Sequence, residues 1–121
     1  MRSWLMKSLA MVAALFMLAG GPFMSTASAG AKIALVLDVG GRGDLSFNDM
    51  GFKGTDEAQA NLGVEVVEIQ SNSAADYLPN MQNAARSGKF DLIVAVGFLL
   101  ADAMAEVADQ FPDQKFAIID V

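Results

Sequence analysis

Four short apolar runs alternate with segments of helical periodicity between residues 30 and 121. The runs are rich in Val, Ile, Leu and Ala, as are strands buried in a parallel sheet. The segments between them repeat apolar residues every three or four positions, as amphipathic helices do. This alternation predicts an α/β fold with a Rossmann-like parallel sheet. The predicted strands cover residues 33–37, 64–69, 92–96 and 116–119.

The first predicted helix covers residues 47–62. Ser46, followed three residues later by Asp49, resembles a capping box at its start, and Gly63 is a stop signal at its end. The expected apolar face of this helix consists of Met50, Gly54, Ala58 and Leu62.

The two later helices are predicted from proline and glycine positions. A start at Asp76 places Pro79 in the first turn, where its missing N–H costs nothing, and Gly88 ends this second helix. Pro112 terminates the third helix. The face of the third helix consists of Leu100, Met104, Val107, Ala108 and Phe111. We also expect Met50, Met81 and Met104 to fill the core.

The first 29 residues follow a different pattern. Arg2 and Lys7 precede an uninterrupted apolar run over residues 9–19, and the segment ends in Ala27-Ser28-Ala29. The run is too short to cross a bilayer, which takes about 20 residues. A basic start, a short apolar core and a small-x-small ending are typical of a secretory signal peptide. We therefore predict an exported protein that is cleaved after Ala29.

A lipid anchor is not expected from this segment. Leu18-Ala19-Gly20 resembles the start of a bacterial lipobox, but Gly21 stands where the lipid-bearing cysteine would be. The sequence thus predicts a periplasmic or cell-membrane-associated protein without a lipobox cysteine, whose contact with the membrane runs through a partner.

The composition excludes several classes of function. The chain has no His and no Cys, so Ser-His-Asp and Cys-His nucleophiles, zinc fingers and disulfide frameworks are absent. Residues 30–121 carry 14 acidic and 6 basic side chains, a formal charge of -8, which argues against binding to nucleic acid. We expect no cofactor and no resident metal.

The turn after the first strand is the main candidate site, because parallel sheets bind ligands at the carboxyl ends of their strands. Its glycines permit a tight path that brings Asp44, Phe47 and Asn48 to the rim, offering an aromatic face, a carboxylate and an amide to a neutral ligand. The dinucleotide fingerprint lacks its third glycine here, and the Gly-Lys-Ser/Thr ending of a phosphate loop is absent. By residue chemistry alone, an ordinary capped βα turn is equally consistent.

Further candidates follow the third and fourth strands. Gly97 and Phe98 come directly after the third strand, and Asp102 lies in the first turn of the next helix. Asp102 either serves the site or only stabilises the helix dipole, and Asp120 either faces the same cleft or begins a loop.

Four sequence stretches carry a family resemblance. They are GGRGDLSFN at residues 40–48, ADYLPN at 75–80, VGFLLADA at 96–103 and PDQKFAIID at 112–120. With these stretches in this order, the chain resembles the basic membrane protein family, the PnrA-like purine-nucleoside receptors of ABC importers. The resemblance extends from Lys32 to Val121.

The resemblance implies a type I periplasmic-binding fold, in which two Rossmann-like lobes close on a nucleoside and deliver it to an ABC permease and its ATPase subunits. It implies that residues 30–121 form an incomplete N-terminal lobe. By position, Phe47 is expected to stack on the purine, while Gly97 and Phe98 shape the cleft wall. Hydrogen bonds to the solute are expected from Asp44, Asn48, Asp102 and Asp120.

Two other functions stay open. One is a receptor of the same fold for a sugar or another small solute. The other is a Mg²⁺-dependent α/β enzyme, with the ion held by Asp38, Asp44, Asp49 and Ser46.

Overall fold

The computed structural model describes residues 30–121, which form a four-stranded parallel sheet with helices on both faces. The predicted signal peptide at residues 1–29 lies outside the described residues. The strands are β1 (Lys32–Leu37), β2 (Glu65–Gln70), β3 (Leu92–Val96) and β4 (Phe116–Ile119), in the spatial order β2-β1-β3-β4. The predicted fold class and all four predicted strands are confirmed within one residue at each end.

Three α-helices connect the strands. They are α1 (Phe47–Leu62), α2 (Tyr77–Ser87) and α3 (Ala101–Gln110). Short 3-10 turns, Ala74–Asp76 and Phe98–Leu100, precede α2 and α3. The predicted stop signals are confirmed for α1 and α2, because Gly63 and Gly88 adopt the left-handed conformation that ends a helix. No helix within residues 30–121 combines the length and apolar character needed to cross a bilayer.

The larger core cluster lies on the face of the sheet that α2 and α3 cover. Side chains alternate between the two faces of a strand, so Ala34 and Val36 of β1 point into this cluster. Helix α2 contributes Met81 and α3 contributes Val107, and both are fully buried. The predicted face of α3 is confirmed in this cluster for four of its five residues, with Leu100, Met104 and Val107 buried and Phe111 packed against them. The fifth, Ala108, is half-buried and lies outside the cluster.

The opposite face of the sheet is covered by α1 alone within the described residues. Here Leu35 and Leu37 of β1 pack with Phe52 of α1 and Val96 of β3. Helix α1 comes so close to β3 that a Cβ on Gly51 would lie 3.0 Å from a Val96 methyl group. Glycine at this position therefore allows the helix to rest on the strand.

The predicted apolar face of α1 is wrong as a buried face. Met50 and Leu62 are 64% and 74% exposed, whereas Phe52 and Asn48 are the buried residues of this helix. The Met50–Gly54 stripe borders an apolar groove that is lined on its other side by residues of β1, β3 and β4. Met50 is accordingly not a core methionine, whereas Met81 and Met104 are.

Candidate functional site

The strand order places a topological switch point between β1 and β3. The chain leaves β1 for β2 on one side and later enters β3 on the other, so the turns after β1 and β3 diverge and leave a crevice between them. Asp38 and Gly97 begin these two turns, and a Cβ on Gly97 would lie 3.5 Å from Asp38 Oδ2. The Gly97 N–H donates to the carbonyl of Ile119, which ties the end of β3 to the end of β4.

The turn between β1 and α1 is held together by three carboxylates that accept hydrogen bonds from its own backbone. Asp38 Oδ1 accepts from Gly40 N and from Asn48 Nδ2, both at 2.7 Å. Asp49 accepts from Gly43 N at 2.7 Å and from Leu45 N at 3.0 Å. These bonds fix the path of the glycine-rich turn without a ligand.

Asp44 caps the N-terminus of α1. Its Oδ1 accepts from Ser46 N at 2.8 Å and Asp49 N at 3.0 Å, and its Oδ2 accepts from the backbone N and side-chain Nδ2 of Asn48. The predicted capping box of Ser46 and Asp49 is therefore wrong, because Ser46 makes no side-chain cap and Asp49 turns back to the preceding loop. A carboxylate two residues before the cap position reaches the same free N–H groups with two acceptor oxygens instead of one.

The hydrogen bonds to Asp44 outweigh the opposing effect of desolvation on its acidity. Partial burial raises the pKa of this carboxyl, but the N–H groups of Asn48, Ser46 and Asp49 and the Asn48 amide stabilise the charged form and lower the pKa to about 2. Asp44 is therefore ionised at every physiological pH.

The depressed pKa of Asp44 predicts how stability depends on pH. The carboxylate contributes its full stabilisation above its ordinary pKa of 3.8 and loses it as the pH falls through about 2. In urea unfolding of the protein expressed from its complete gene, wild type should exceed Asp44→Asn in stability by a constant amount at neutral pH. The difference should shrink between about pH 4 and about pH 2. A difference unchanged at pH 2 contradicts the capping role of the ionised carboxyl.

Phe47 lies in the first turn of α1 with its side chain 54% exposed. It forms one end of an apolar groove of about 290 Å³ between α1 and the neighbouring strands. Val96 and Ile119, the last residues of β3 and β4, line the same groove. Phe47 thus presents an aromatic face at the edge of the sheet where the strands end.

The other predicted site residues divide between the two sides of this edge. Gly97 is buried at the switch point, while Phe98 and Asp120 are exposed beside it. Asp120 has a positive φ of 65°, an uncommon conformation for a residue other than glycine. Asp102 lines a separate cavity of about 500 Å³ together with Tyr77 and Leu99, so Phe47 and Asp102 do not share a cavity in the described structure.

Sequence reasoning missed the roles of Asp38 and Asn48 as partners. Asn48 is 1% exposed, and its Nδ2 bridges Asp38 and Asp44 while its Oδ1 has no hydrogen-bond partner among residues 30–121. A usable signal was the acidic Asp44 just before the start of α1, because carboxylates at this position accept hydrogen bonds from the free N–H groups of the first turn. The path of the glycine-rich turn between β1 and α1 brings Asp38 within reach of the same amide.

The carboxylates of the turn do not form a metal centre. Within residues 30–121, no group of three or more acidic side chains has the arrangement needed to hold an ion. Asp38, Asp44 and Asp49, which the magnesium hypothesis brought together, point instead at backbone and amide N–H groups.

Arg42 of the same turn faces away from the switch point. Its guanidinium pairs with Glu68 of β2 and lies 3.6 Å from the ring centroid of Phe52. This stacking accounts for the position of Arg42 by contacts within the fold.

Comparison with known proteins identifies relatives of this chain. Residues 31–121 match the family model of the PnrA-like ABC transporter substrate-binding protein. An uncharacterised lipoprotein of Pyrococcus abyssi is 48% identical over 84% of this chain and 25% of the relative. The ABC transporter nucleoside-binding protein BmpA of Lactococcus lactis is 36% identical over 74% of this chain and 26% of that protein.

A solved structure shares the fold. The ABC transporter solute-binding protein of Aeropyrum pernix K1 superposes with a TM-score of 0.72 at 47% identity, over 75% of this chain and 25% of that one. The chain therefore spans about a quarter of the length of the relatives it matches.

The relatives correct one prediction and identify the family. The predicted localisation, without a lipobox cysteine and with membrane contact only through a partner, is contradicted by the Pyrococcus relatives, which are named lipoproteins. Export itself is supported by the same names.

The family model covers residues 31–121, the fold is shared with a solute-binding protein, and an aromatic ring is exposed at the switch point. The chain therefore belongs to the PnrA-like family of ABC transporter substrate-binding proteins.

Proposed function

We propose that this chain supplies one wall of the solute site in an extracytoplasmic receptor for purine nucleosides. In this proposal, residues 1–29 direct export as a signal peptide, and residues 30–121 form part of the N-terminal lobe. The remainder of the full-length protein supplies the opposing lobe. The receptor hands its solute to an ABC permease powered by ATPase subunits and leaves the solute chemically unchanged.

One observation carries this proposal: the exposed ring of Phe47 stands at the switch-point edge, on a turn fixed by internal hydrogen bonds. A purine is flat and apolar on its faces, so it gains from stacking on such a ring. The name of the Lactococcus relative, a nucleoside-binding protein, supports the same class of solute.

The polar groups at this edge suit an uncharged solute. Asp38 Oδ2 faces the crevice beside Gly97, and Asp120 is exposed at the end of β4. Carboxylates accept hydrogen bonds from base N–H, amino and ribose hydroxyl groups, and they repel a phosphate. The side chains therefore favour a nucleoside over the corresponding nucleotide. Gly97 and Phe98 form the adjoining wall in this proposal, and Asp102 contributes from the neighbouring cavity.

The experiment is isothermal titration calorimetry on the protein expressed from its complete gene, with adenosine, inosine, guanosine, ribose and AMP. We expect the nucleosides to bind and to be recovered unchanged by chromatography, with ribose and AMP much weaker. Tight ribose binding would favour a sugar receptor instead. Converted nucleoside would favour an enzyme.

Replacing Phe47 with alanine should weaken nucleoside binding by about 1–3 kcal/mol, or about 5- to 150-fold, since base–aromatic stacking is lost. Phe47→Tyr retains the ring and should stay close to wild type. Leu62→Ala is the matched control, because Leu62 is an exposed apolar residue at the other end of α1. Equal affinity of Phe47→Ala and wild type would remove Phe47 from the site.

A further inference from the structure

Both carboxylate oxygens of Asp44 accept hydrogen bonds from groups within the protein. Its two oxygens accept four hydrogen bonds, at 2.8–3.0 Å, from Ser46, Asn48 and Asp49. Three of the donors are the backbone N–H groups that surround Phe47 in the chain and begin α1. A solute that donated a hydrogen bond to either oxygen would compete with the N–H groups at the start of the helix.

The side-chain amide of Asn48 also bonds to groups within the protein. It is 1% exposed, and both hydrogens of its side-chain amide are directed at carboxylates, one at Asp38 Oδ1 and one at Asp44 Oδ2. This amide links the end of β1 to the start of α1. Phe47 lies between Asp44 and Asn48 in the chain, so this link constrains the backbone from which its ring projects.

The turn holds a backbone conformation that it would not adopt freely. Leu45, directly after Asp44, has a φ of 54° and is 92% exposed, so no packing of its side chain explains the left-handed conformation. Its N–H donates to Asp49 Oδ2, and Ser46 N donates to Asp44 Oδ1. These bonds offset the cost of the unfavourable backbone geometry, which is typical of functional turns.

We infer that Asp44 and Asn48 are positioning residues, which hold the ring of Phe47 in its stacking orientation before the solute arrives, and that they do not contact the solute. This inference rests on the proposed function. A turn that is already ordered loses little conformational entropy on binding, whereas a mobile turn loses more. Pre-ordering therefore raises the affinity for the solute. The solute would then find its polar partners elsewhere on the rim, at Asp38 Oδ2 and Asp120.

A double-mutant cycle tests this role. Calorimetry compares adenosine binding to wild type, Asp44→Asn, Phe47→Ala and the double variant, at a temperature where each is shown to be folded by circular dichroism. We expect Asp44→Asn to weaken binding by about 3- to 10-fold while Phe47 is present. When Phe47 is already alanine, Asp44→Asn should weaken binding by less than about twofold, because there is no ring left to position.

A panel of bases gives a second readout. Adenosine, inosine and guanosine share the stacking face but differ along the edge. We therefore expect Asp44→Asn to weaken all three by the same factor. An equal loss with and without Phe47, or a loss confined to one base, would show Asp44 contacting the solute and would overturn the inference.

Asp49→Asn provides the same test if Asp44→Asn does not fold. It releases the N–H groups of Gly43 and Leu45 at the far side of the turn. The same non-additivity with Phe47→Ala is expected. A wild-type protein that binds no nucleoside ends the proposed function, whereas nucleoside binding with an additive cycle ends only the positioning role.

Discussion

Asn48→Asp is expected to destabilise the protein by about 3–5 kcal/mol, because it turns a buried donor into a third carboxylate. The side-chain nitrogen of Asn48 lies 2.7 Å from Asp38 Oδ1 and 2.9 Å from Asp44 Oδ2. An oxygen in its place would face both carboxylates, and this costs free energy whether the charges repel or one carboxyl is forced to take up a proton. The link between β1 and α1 would be replaced by repulsion at a site that is 1% exposed. Urea unfolding of the full-length protein at pH 7 measures the loss.

Asn61→Asp is the matched control for this substitution. Asn61 is exposed in the last turn of the same helix, where an added negative charge meets only the unfavourable end of the helix dipole. Its cost should stay within about 1 kcal/mol. Similar losses for the two variants would mean that Asn48 is no special link between Asp38 and Asp44.

Leu100→Ala should cost about 2–5 kcal/mol of unfolding free energy, because it opens a cavity under the switch-point edge. Leu100 is fully buried in the cluster between α2, α3 and the sheet. Its N–H donates to the carbonyl of Gly97, so the same residue anchors the turn that carries Gly97 and Phe98. Chemical denaturation at neutral pH gives the loss, and solute titration shows whether the turn has loosened.

The neighbouring residue supplies the control. Leu99 is 50% exposed in the same turn, and Leu99→Ala removes the same atoms from a half-solvated position. Its effect on stability should be about 0.5 kcal/mol. A comparable loss for both leucines would contradict the assignment of Leu100 as the anchor.

The strands and helix ends were predictable because each depends on local chemistry. Glycines at positions 63 and 88 end helices through their own backbone freedom, and Pro112 follows the end of α3. The unbroken apolar runs at residues 33–37, 92–96 and 116–119 made β1, β3 and β4 predictable. For these elements, local preference and tertiary packing agree.

The buried side of α1 was not predictable from periodicity. Its sequence contains an apolar stripe through Met50 and Gly54, but the helix packs through Phe52, Asn48 and Gly51. Which stripe is buried depends on where the helix lies across its sheet face, and this is decided by the order of the strands. The period of a helix fixes which residues share a side and leaves open which side is covered.

The position of the candidate residues at one edge of the sheet was more predictable than the contacts they make. The rule that ligands bind at strand carboxyl ends correctly placed the β1 turn, Gly97 and Asp120 at one edge. It could not show that Asp44 and Asn48 bond to each other and to the backbone. Nor could it show that Asp38 accepts a hydrogen bond from the same Asn48 amide. Asp102 lies beyond the 3-10 turn Phe98–Leu100, which carries it to a different cavity.

The ring of Phe47 is exposed at the rim of the sheet edge. It also lines the groove beside α1, as does Ile33. Val94 and Ile119 line that groove together with Phe47. Under the proposed function, libraries aimed at changing solute preference should therefore randomise Val94 and Ile119 as well as the rim, because side chains packed behind the ring set the tilt of its stacking face.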